Sequence, residues 1–299
     1  MSTLVMGGVF SLLTTGAIIF VLARESYRFL GEEDVTFWGF IGGLQWNPLL
    51  GAEQHFGIWP LIAGTLMIAA VAMIVAVPLG LVTAIWLSEY APATLRSILK
   101  PVLEILAGIP TVVFGFFALT VVTPGLQWFN RFLPGDHQFG VYNAASAGIA
   151  VGILTLPIVT SLSEDALRAV PGSLREASYG LGATRFETSL KVVFPAALSG
   201  IIAAFLLAVA RAVGETMIVA LAAGSSPLPL HEEPTAAIDI TREVQPMTGY
   251  MVQIFLGDAS NFGPEYFSSY AVAAVLFLMT FVLTVIGHVI RKKFQQVYE

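Results

Sequence analysis

The sequence predicts an all-α membrane protein with six transmembrane helices. Of its 299 residues, 56% are hydrophobic and only 11% are charged, and the mean hydropathy is +0.81. These values are typical of a polytopic membrane protein and exclude an ordinary soluble domain. Six apolar segments are long enough, at roughly 20 residues each, to cross about 30 Å of hydrocarbon as helices. They lie near residues 3–23, 60–87, 102–123, 144–163, 196–223 and 269–290.

The first predicted part of the chain, residues 1–59, comprises the first transmembrane helix and an outer segment. Residues 1–23 lack the basic n-region and the clear cleavage site of a signal peptide, so we expect a helix that is retained. The outer segment that follows contains many aromatic residues, including Trp38 and Trp46. Aromatic residues beside a span are typical of the headgroup region of the bilayer, where we expect them to lie.

The second predicted part, residues 60–295, is a core that contains the other five spans. Proline and glycine interrupt the second span at Pro78 and the third span between Gly108 and Pro110. Because proline removes a backbone donor and clashes with the preceding turn, we expect kinks at both places. The connections between spans include outer loops at residues 124–143 and 224–268 and an inner loop at residues 167–193.

The distribution of lysine and arginine favours cytoplasmic amino and carboxyl termini. With this orientation the inner segments hold most of the 14 basic residues, as the positive-inside rule requires. The outer segments hold only Arg24, Arg28, Arg131 and Arg242, together with more than half of the 20 acidic residues. Because an acidic surface repels a dissolved anion, an anionic cargo would need a separate delivery protein. The inner basic residues are Arg96, Lys100, Arg168, Arg175, Arg185, Lys191, Arg291, Lys292 and Lys293.

The inner loop is predicted to form a short helix, a turn and a second short helix. It contains two sequences of the form S/T-x-x-E, which is the capping box that begins a helix. Two glycines between them permit the sharp turn that must separate the helices. In chain order these residues are Ser173 with Glu176, Gly180, Gly182, and Thr184 with Glu187.

Arg211 and Glu215 are the most costly residues of the predicted fifth span. Each charge alone costs roughly 2.5–3.5 kcal/mol at the centre of a membrane helix. Their i,i+4 spacing places them on one face of a helix, where they can pair. The pair is either a structural lock between helices or part of a wet pathway, in which the planar guanidinium suits a tetrahedral oxyanion. Intramembrane charges favour the second interpretation.

Two further polar residues are candidates for the same pathway. Thr216 could add a neutral donor, although a hydroxyl in a helix also bonds readily to the carbonyl four residues earlier. Glu104, at the inner end of the third span, is either a pathway residue or a side chain that reaches the membrane interface.

Several kinds of chemistry have no support in the sequence. There is no cysteine, and the histidines lack the spacing of motifs such as H-E-x-x-H, so we expect no disulfide and no metal site. The P-loop pattern G-x-x-x-x-G-K-[ST] does not occur, so ATP hydrolysis must come from another protein. No basic patch suits a nucleic acid. We therefore expect no cofactor, no enzymatic activity and no nucleic-acid partner. The histidines are His55, His137, His231 and His288.

A longer pattern in the inner loop resembles that of a known family. The sequence from Glu176 to Pro195 reads Glu-Ala-Ser-x-x-x-Gly-x₉-Val-x-Phe-Pro, which is similar to the EAA loop of bacterial ABC-importer permeases. Other stretches, among them residues 104–115 and 211–217, resemble PstC-type permeases of phosphate importers. This resemblance covers roughly residues 40–295.

The resemblance implies a type I ABC importer permease fold in the bacterial inner membrane, surrounded by lipid. It implies a PstA-like second permease, two ATP-binding subunits and an extracytoplasmic phosphate-binding protein as partners. Arg211 and Glu215 would line the path of phosphate, with Thr216 and Glu104 as further candidates. The residues implied to couple to the ATPase are Glu176, Ala177, Gly180, Gly182, Ala183, Thr184, Arg185 and Phe186.

Two alternatives to phosphate import remain open on the residues alone. The cargo could be another oxyanion, such as sulfate or molybdate. The chain could also be a non-transporting scaffold or sensor that uses the same ATPase contact for signalling. In that case the pair of Arg211 and Glu215 would be structural, and apolar replacement of both residues would be harmless.

Overall fold

Most of the residues that the structure describes are helical. The computed structural model describes residues 2–33, 35–49, 54–132, 138–258 and 263–294. Part of the predicted outer loop 124–143, including His137, lies outside these ranges. The first helices are α1 (Ser2–Phe29), α2 (Phe37–Gly42), α3 (Trp59–Ile85), α4 (Ala93–Ala107), α5 (Thr111–Phe117), α6 (Thr123–Asn130) and α7 (Ala144–Arg168).

The later helices are mostly shorter, until the last one. They are α8 (Gly172–Gly180), α9 (Arg185–Thr188), α10 (Phe194–Ala196), α11 (Leu198–Val213), α12 (Met217–Ala222), α13 (Met247–Gln253) and α14 (Pro264–Phe294). Two short antiparallel strands, β1 (Trp46–Asn47) and β2 (His55–Phe56), pair with Trp46 opposite Phe56. Segments of π-helix lie at Trp86–Tyr90, Ala118–Val122, Ser189–Val193 and Ile254–Asp258, and a 3₁₀-helix at Pro234–Ile238.

The described residues contain five helical segments long and apolar enough to cross a membrane, or six if one bent pair is a single span. The bent pair, Arg185–Ala196 and Leu198–Val213, turns by 70°. The prediction of an all-α protein with six spans is therefore confirmed, with a sharp bend where the fifth span begins. The five continuous spans are Leu4–Phe29, Trp59–Tyr90, Thr111–Asn130, Ala144–Arg168 and Pro264–Ile290.

The predicted third span, residues 102–123, is wrong in its boundaries. The membrane-length helix is Thr111–Asn130, so residues 124–130 are helical and do not form the start of an outer loop. Before Pro110, helix α4 is a separate amphipathic element with no buried residue. Arg96, Lys100 and Glu104 follow one another at i,i+4 spacing, which places a charged stripe along this helix.

The predicted fifth and sixth spans also differ from the structure. The segment 196–223 is not one helix, because α11 ends at Val213 and α12 begins at Met217. Arg211 therefore lies in the last turn of a helix and not near the middle of a span. The last span begins at Pro264, five residues before the predicted start at residue 269.

The chain divides into two compact units. The first consists of Met1–Thr65, Ser225–Asp239 and Val244–Met279. Its core is aromatic: the ring of Phe29 lies 5.5 Å from Phe40 and 5.2 Å from Phe56, and Trp46 lies 4.9 Å from Tyr250, all edge to face. Trp46 is only 5% exposed, so its side chain packs inside the protein and does not face the lipid headgroups. Paired β1 and β2 hold this side chain in the core instead.

The second unit consists of Leu66–Gly224, Ile240–Glu243 and Thr280–Glu299. Helix α7 lies at the centre of this unit. In its most apolar stretch 67% of the residues are buried, whereas the corresponding share for Trp59–Tyr90 is 33%. Glycines let α3 approach it closely: a Cβ atom at Gly148 would lie 2.5 Å from Cβ of Val71, and one at Gly152 would lie 2.9 Å from the carbonyl oxygen of Ala72. Such contacts between small residues are the usual basis of helix packing in membranes.

Candidate functional site

The two charges that the sequence places in the fifth span lie at the break between α11 and α12 and form a pair. Nη1 of Arg211 donates a hydrogen bond to Oε2 of Glu215 over 2.5 Å. The side chain of Glu215 is 2% exposed, whereas that of Arg211 is 39% exposed. The buried carboxylate thus fixes a guanidinium that still has an open side. The predicted i,i+4 pairing is confirmed, although the helix does not continue through it.

Glu215 also connects the two helix ends. Its Oε1 accepts a hydrogen bond from the backbone N–H of Ile218 in the first turn of α12, over 3.4 Å. Arg211 lies in the last turn of α11. A cation at a helix C-terminus and an anion at a helix N-terminus are both favoured by the helix dipoles. The pair therefore stabilises the break itself.

The other two pathway candidates lie in different surroundings. Thr216 is in the break, where its hydroxyl donates to the carbonyl of Gly214 over 3.3 Å. The expected alternative, a hydrogen bond from this hydroxyl to the carbonyl four residues earlier, is therefore wrong. Glu104 is an exposed residue of α4. No hydrogen bond or ion pair joins it to Arg211 or Glu215 among the described residues, so its pathway role stays a prediction.

The inner loop forms two helices, α8 and α9, joined by a tight turn. Gly182 has a φ of +85°, a conformation that favours glycine. The N–H of Ala183 donates to the carbonyl of Ser178, and the N–H of Gly182 donates to that of Tyr179. This is the Schellman ending of a helix. Gly182 therefore makes the predicted turn, whereas Gly180 is still part of α8.

One of the two predicted capping boxes is present. Thr184 accepts a hydrogen bond from the N–H of Glu187, and the side chain of Glu187 accepts one from the N–H of Thr184. The box at Ser173 is wrong, because α8 already begins at Gly172, directly after Pro171, with no side-chain cap. The fixed φ of proline suits a helix start. Ser173 is therefore the second residue of α8 and not its N-cap.

A buried hydrogen bond holds the two loop helices together. The hydroxyl groups of Ser178 on α8 and Thr188 on α9 lie 2.8 Å apart, and these residues are 8% and 0% exposed. Ser178 occupies the last position of the Glu-Ala-Ser motif. Its hydroxyl, which an alanine would lack, has a specific partner in this chain.

We expect Ser178→Ala to destabilise the loop by about 1–3 kcal/mol, because it leaves the Thr188 hydroxyl buried without a partner. The midpoint of thermal unfolding of the detergent-purified protein should fall. Removal of both hydroxyls, in Ser178→Ala with Thr188→Val, should recover most of the loss. Ser173→Ala, in the same helix but exposed, is the matched control. A single variant as stable as this control would contradict the expectation.

Apolar side chains are exposed on the outside of the loop, among its polar residues. Leu181 is 90% exposed, Phe186 64% and Tyr179 42%. Glu176 and Ala177 are exposed beside them. Exposed apolar residues in a polar setting are typical of an interaction surface. Leu181 and Tyr179 were not among the predicted coupling residues. We refer to Glu176, Ala177, Tyr179, Leu181 and Phe186 together as the loop surface.

An ionic cluster ties the amphipathic helix α4 to the end of α7. The ammonium of Lys100 donates to Oε2 of Glu164 over 2.8 Å and also to Asp165. Burial alone lowers the pKa of Lys100, but hydrogen bonds to Asp165 and Glu164 outweigh it, and the pKa lies above its ordinary value. Glu164 is 1% exposed, so Lys100 keeps a buried carboxylate paired.

Comparison with known proteins gives a consistent result. Residues 76–296 match the family described as binding-protein-dependent transport system inner membrane component. The Bacillus subtilis protein named "Probable ABC transporter permease protein YqgH" is 39% identical over 188 residues, which are 62% of this chain and 58% of that protein. The phosphate transport system permease protein PstC of Mesorhizobium japonicum is 31% identical over 293 residues, 92% and 84% of the two chains.

The fold is also similar to solved importers. A chain of a bacterial ABC transporter involved in the import of the acidic polysaccharide alginate superposes with a TM-score of 0.61 at 12% identity, covering 96% of each chain. At this identity the likeness concerns the fold alone, and it confirms the type I importer permease fold. The chain is therefore a multi-pass protein of the bacterial inner membrane, and it belongs to the family of binding-protein-dependent transport system inner membrane components, as a permease subunit of an ABC importer.

Proposed function

We propose that this permease subunit carries inorganic phosphate across the inner membrane by alternating access. The main support for this proposal is the partly exposed guanidinium of Arg211, which the buried carboxylate of Glu215 holds at a break between helices. A planar guanidinium donates parallel hydrogen bonds that match a tetrahedral oxyanion. Because the carboxylate partly neutralises it, the site binds the anion weakly, as passage requires. The PstC relative, a phosphate transport permease by name, supports this cargo.

The proposed partners follow from the surfaces of the chain. The loop surface would dock one of two ATP-binding subunits, which would supply the P-loop chemistry that this sequence lacks. A PstA-like permease would form the other half of the pathway. An extracytoplasmic phosphate-binding protein would deliver the anion past the acidic outer segments. This arrangement places the loop and both termini on the cytoplasmic side.

The cargo is tested with the assembled complex and its binding protein in proteoliposomes that contain ATP. We expect uptake of radiolabelled inorganic phosphate, blocked by excess unlabelled phosphate. Sulfate and molybdate in the same excess should leave it unchanged. Competition by sulfate or molybdate as strong as that by phosphate would assign the pathway to oxyanions in general and refute phosphate selectivity.

A further inference from the structure

Arg175 makes more contacts between elements than any other basic residue of the described inner loop. Its side chain is 19% exposed and pairs with Glu89, which is 5% exposed. Nη2 of Arg175 lies 2.9 Å from Oε1 of Glu89, and Nε lies 3.4 Å from Oε2. This is the two-pronged geometry in which a guanidinium binds a carboxylate most specifically.

The same guanidinium also binds the end of helix α7. Nη1 of Arg175 donates to the carbonyl of Val170 over 2.6 Å, and Nη2 donates to the carbonyl of Leu167 over 2.8 Å. The last carbonyls of a helix have no partner within it and carry the negative end of the helix dipole. Arg175 therefore adds a charged donor to the carbonyl of Leu167, in the last turn of α7, and to that of Val170, just beyond the helix.

These contacts join three elements at one side chain. Arg175 belongs to α8, the first helix of the inner loop, and Glu89 lies in the π-helical segment that follows α3. Leu167 is in the last turn of α7. Helix α8 is linked covalently to α7 but reaches α3 through side-chain contacts such as this one. Two hydrogen bonds of the guanidinium go to backbone carbonyls at the end of α7 and just beyond it, and two go to Glu89 in the π-helical segment after α3, so a shift of α8 would disturb both.

We propose that Arg175 is a positioning residue that transmits movement of α8 to α3 and α7. This rests on the proposed function, in which the loop surface is moved by an ATPase. Arg175 is not part of the loop surface, since it points into the chain and not out of it. Its loss should leave the ATPase bound and active and should separate ATP hydrolysis from transport.

The test compares Arg175→Ala, Arg175→Lys and wild type in the reconstituted complex with its binding protein. ATP hydrolysis and uptake of radiolabelled phosphate are measured on the same vesicles, and bound ATPase is quantified after purification. We expect Arg175→Ala to lower phosphate uptake per ATP by roughly tenfold, within the range seen for residues of coupling networks. Lysine keeps the positive charge but lacks the planar set of donors of a guanidinium. Arg175→Lys should therefore recover only part of the phosphate uptake per ATP.

Two further variants show whether the effect runs through this link. Glu89→Ala combined with Arg175→Ala should lose no more than Arg175→Ala alone, because both act through one contact. Lys191→Ala, an exposed residue of the same loop in a surface pair with Glu187, should behave as wild type.

Three outcomes overturn the proposal while leaving phosphate transport by the wild type intact. The first is a normal ratio of uptake to ATP hydrolysis in Arg175→Ala. The second is loss of the bound ATPase from both Arg175→Ala and Arg175→Lys, which would make Arg175 a docking or stability residue. The third is full recovery in Arg175→Lys, which would show that charge alone is needed.

Discussion

Arg211→Ala should lower phosphate uptake by about 100-fold or more, the scale on which loss of one pre-arranged donor acts. The guanidinium is the only intramembrane cation predicted from the sequence, and its open side is the one place in the described break where a passing anion would meet a cationic side chain. Without it the passing anion would face the buried carboxylate of Glu215. Uptake of radiolabelled phosphate into proteoliposomes is the measurement.

The control must separate a pathway role from a structural one, because Arg211→Ala also leaves a buried charge unpaired. Loss of one partner of a buried pair destabilises by about 3–5 kcal/mol. Replacement of both residues, in Arg211→Met with Glu215→Leu, removes that penalty. If this double variant assembles and still fails to transport, the pair acts on the anion. Normal uptake by the double variant would instead show that the pair is structural and is not needed for passage of the anion.

Leu181→Asp should prevent the ATPase from co-purifying with this chain, and uptake should be lost with it. Leu181 is 90% exposed at the tip of the loop surface, where a docked partner would enclose it. An aspartate there would lose an apolar anchor and bury a charge, and changes at interface anchors cost 2 kcal/mol or more. The fraction of chain that carries bound ATPase after affinity purification gives the result directly.

The matched control is Ser173→Asp, which adds the same charge to the exposed start of α8, where a helix tolerates an acid well. We expect it to retain the ATPase. Equal loss in both variants would mean that negative charge anywhere on the loop is disruptive. Retention in Leu181→Asp would show that the loop surface is not the dock.

The number of spans and the turn of the inner loop were predictable because each depends on neighbouring residues. Thr184 and Glu187 form their capping box within one helical turn, and Gly182 is required by the local backbone. The box at Ser173 failed since the proline two residues earlier starts the helix sooner. Pro171 is visible in the sequence, but the prediction gave more weight to the S-x-x-E pattern than to this proline.

The break after Val213 was harder to predict, because hydropathy does not change across it. The residues before and after the break, 198–213 and 217–222, are mostly apolar. The i,i+4 spacing of the charged pair also suggested a continuous helix. The contacts of Arg175 with Glu89 and of Ser178 with Thr188 join residues 86 and 10 positions apart. Pairings of this kind depend on how helices pack, which periodicity along one helix does not specify.

The 70° elbow between α10 and α11 determines what a pull on the inner loop can do. A force applied along the short helices of the loop is directed mostly across the axis of α11. Helix α11, which carries Arg211 in its last turn, would therefore tilt and would not move along its own axis. A small stroke at the near end would then sweep the guanidinium sideways, into or out of the route of the anion.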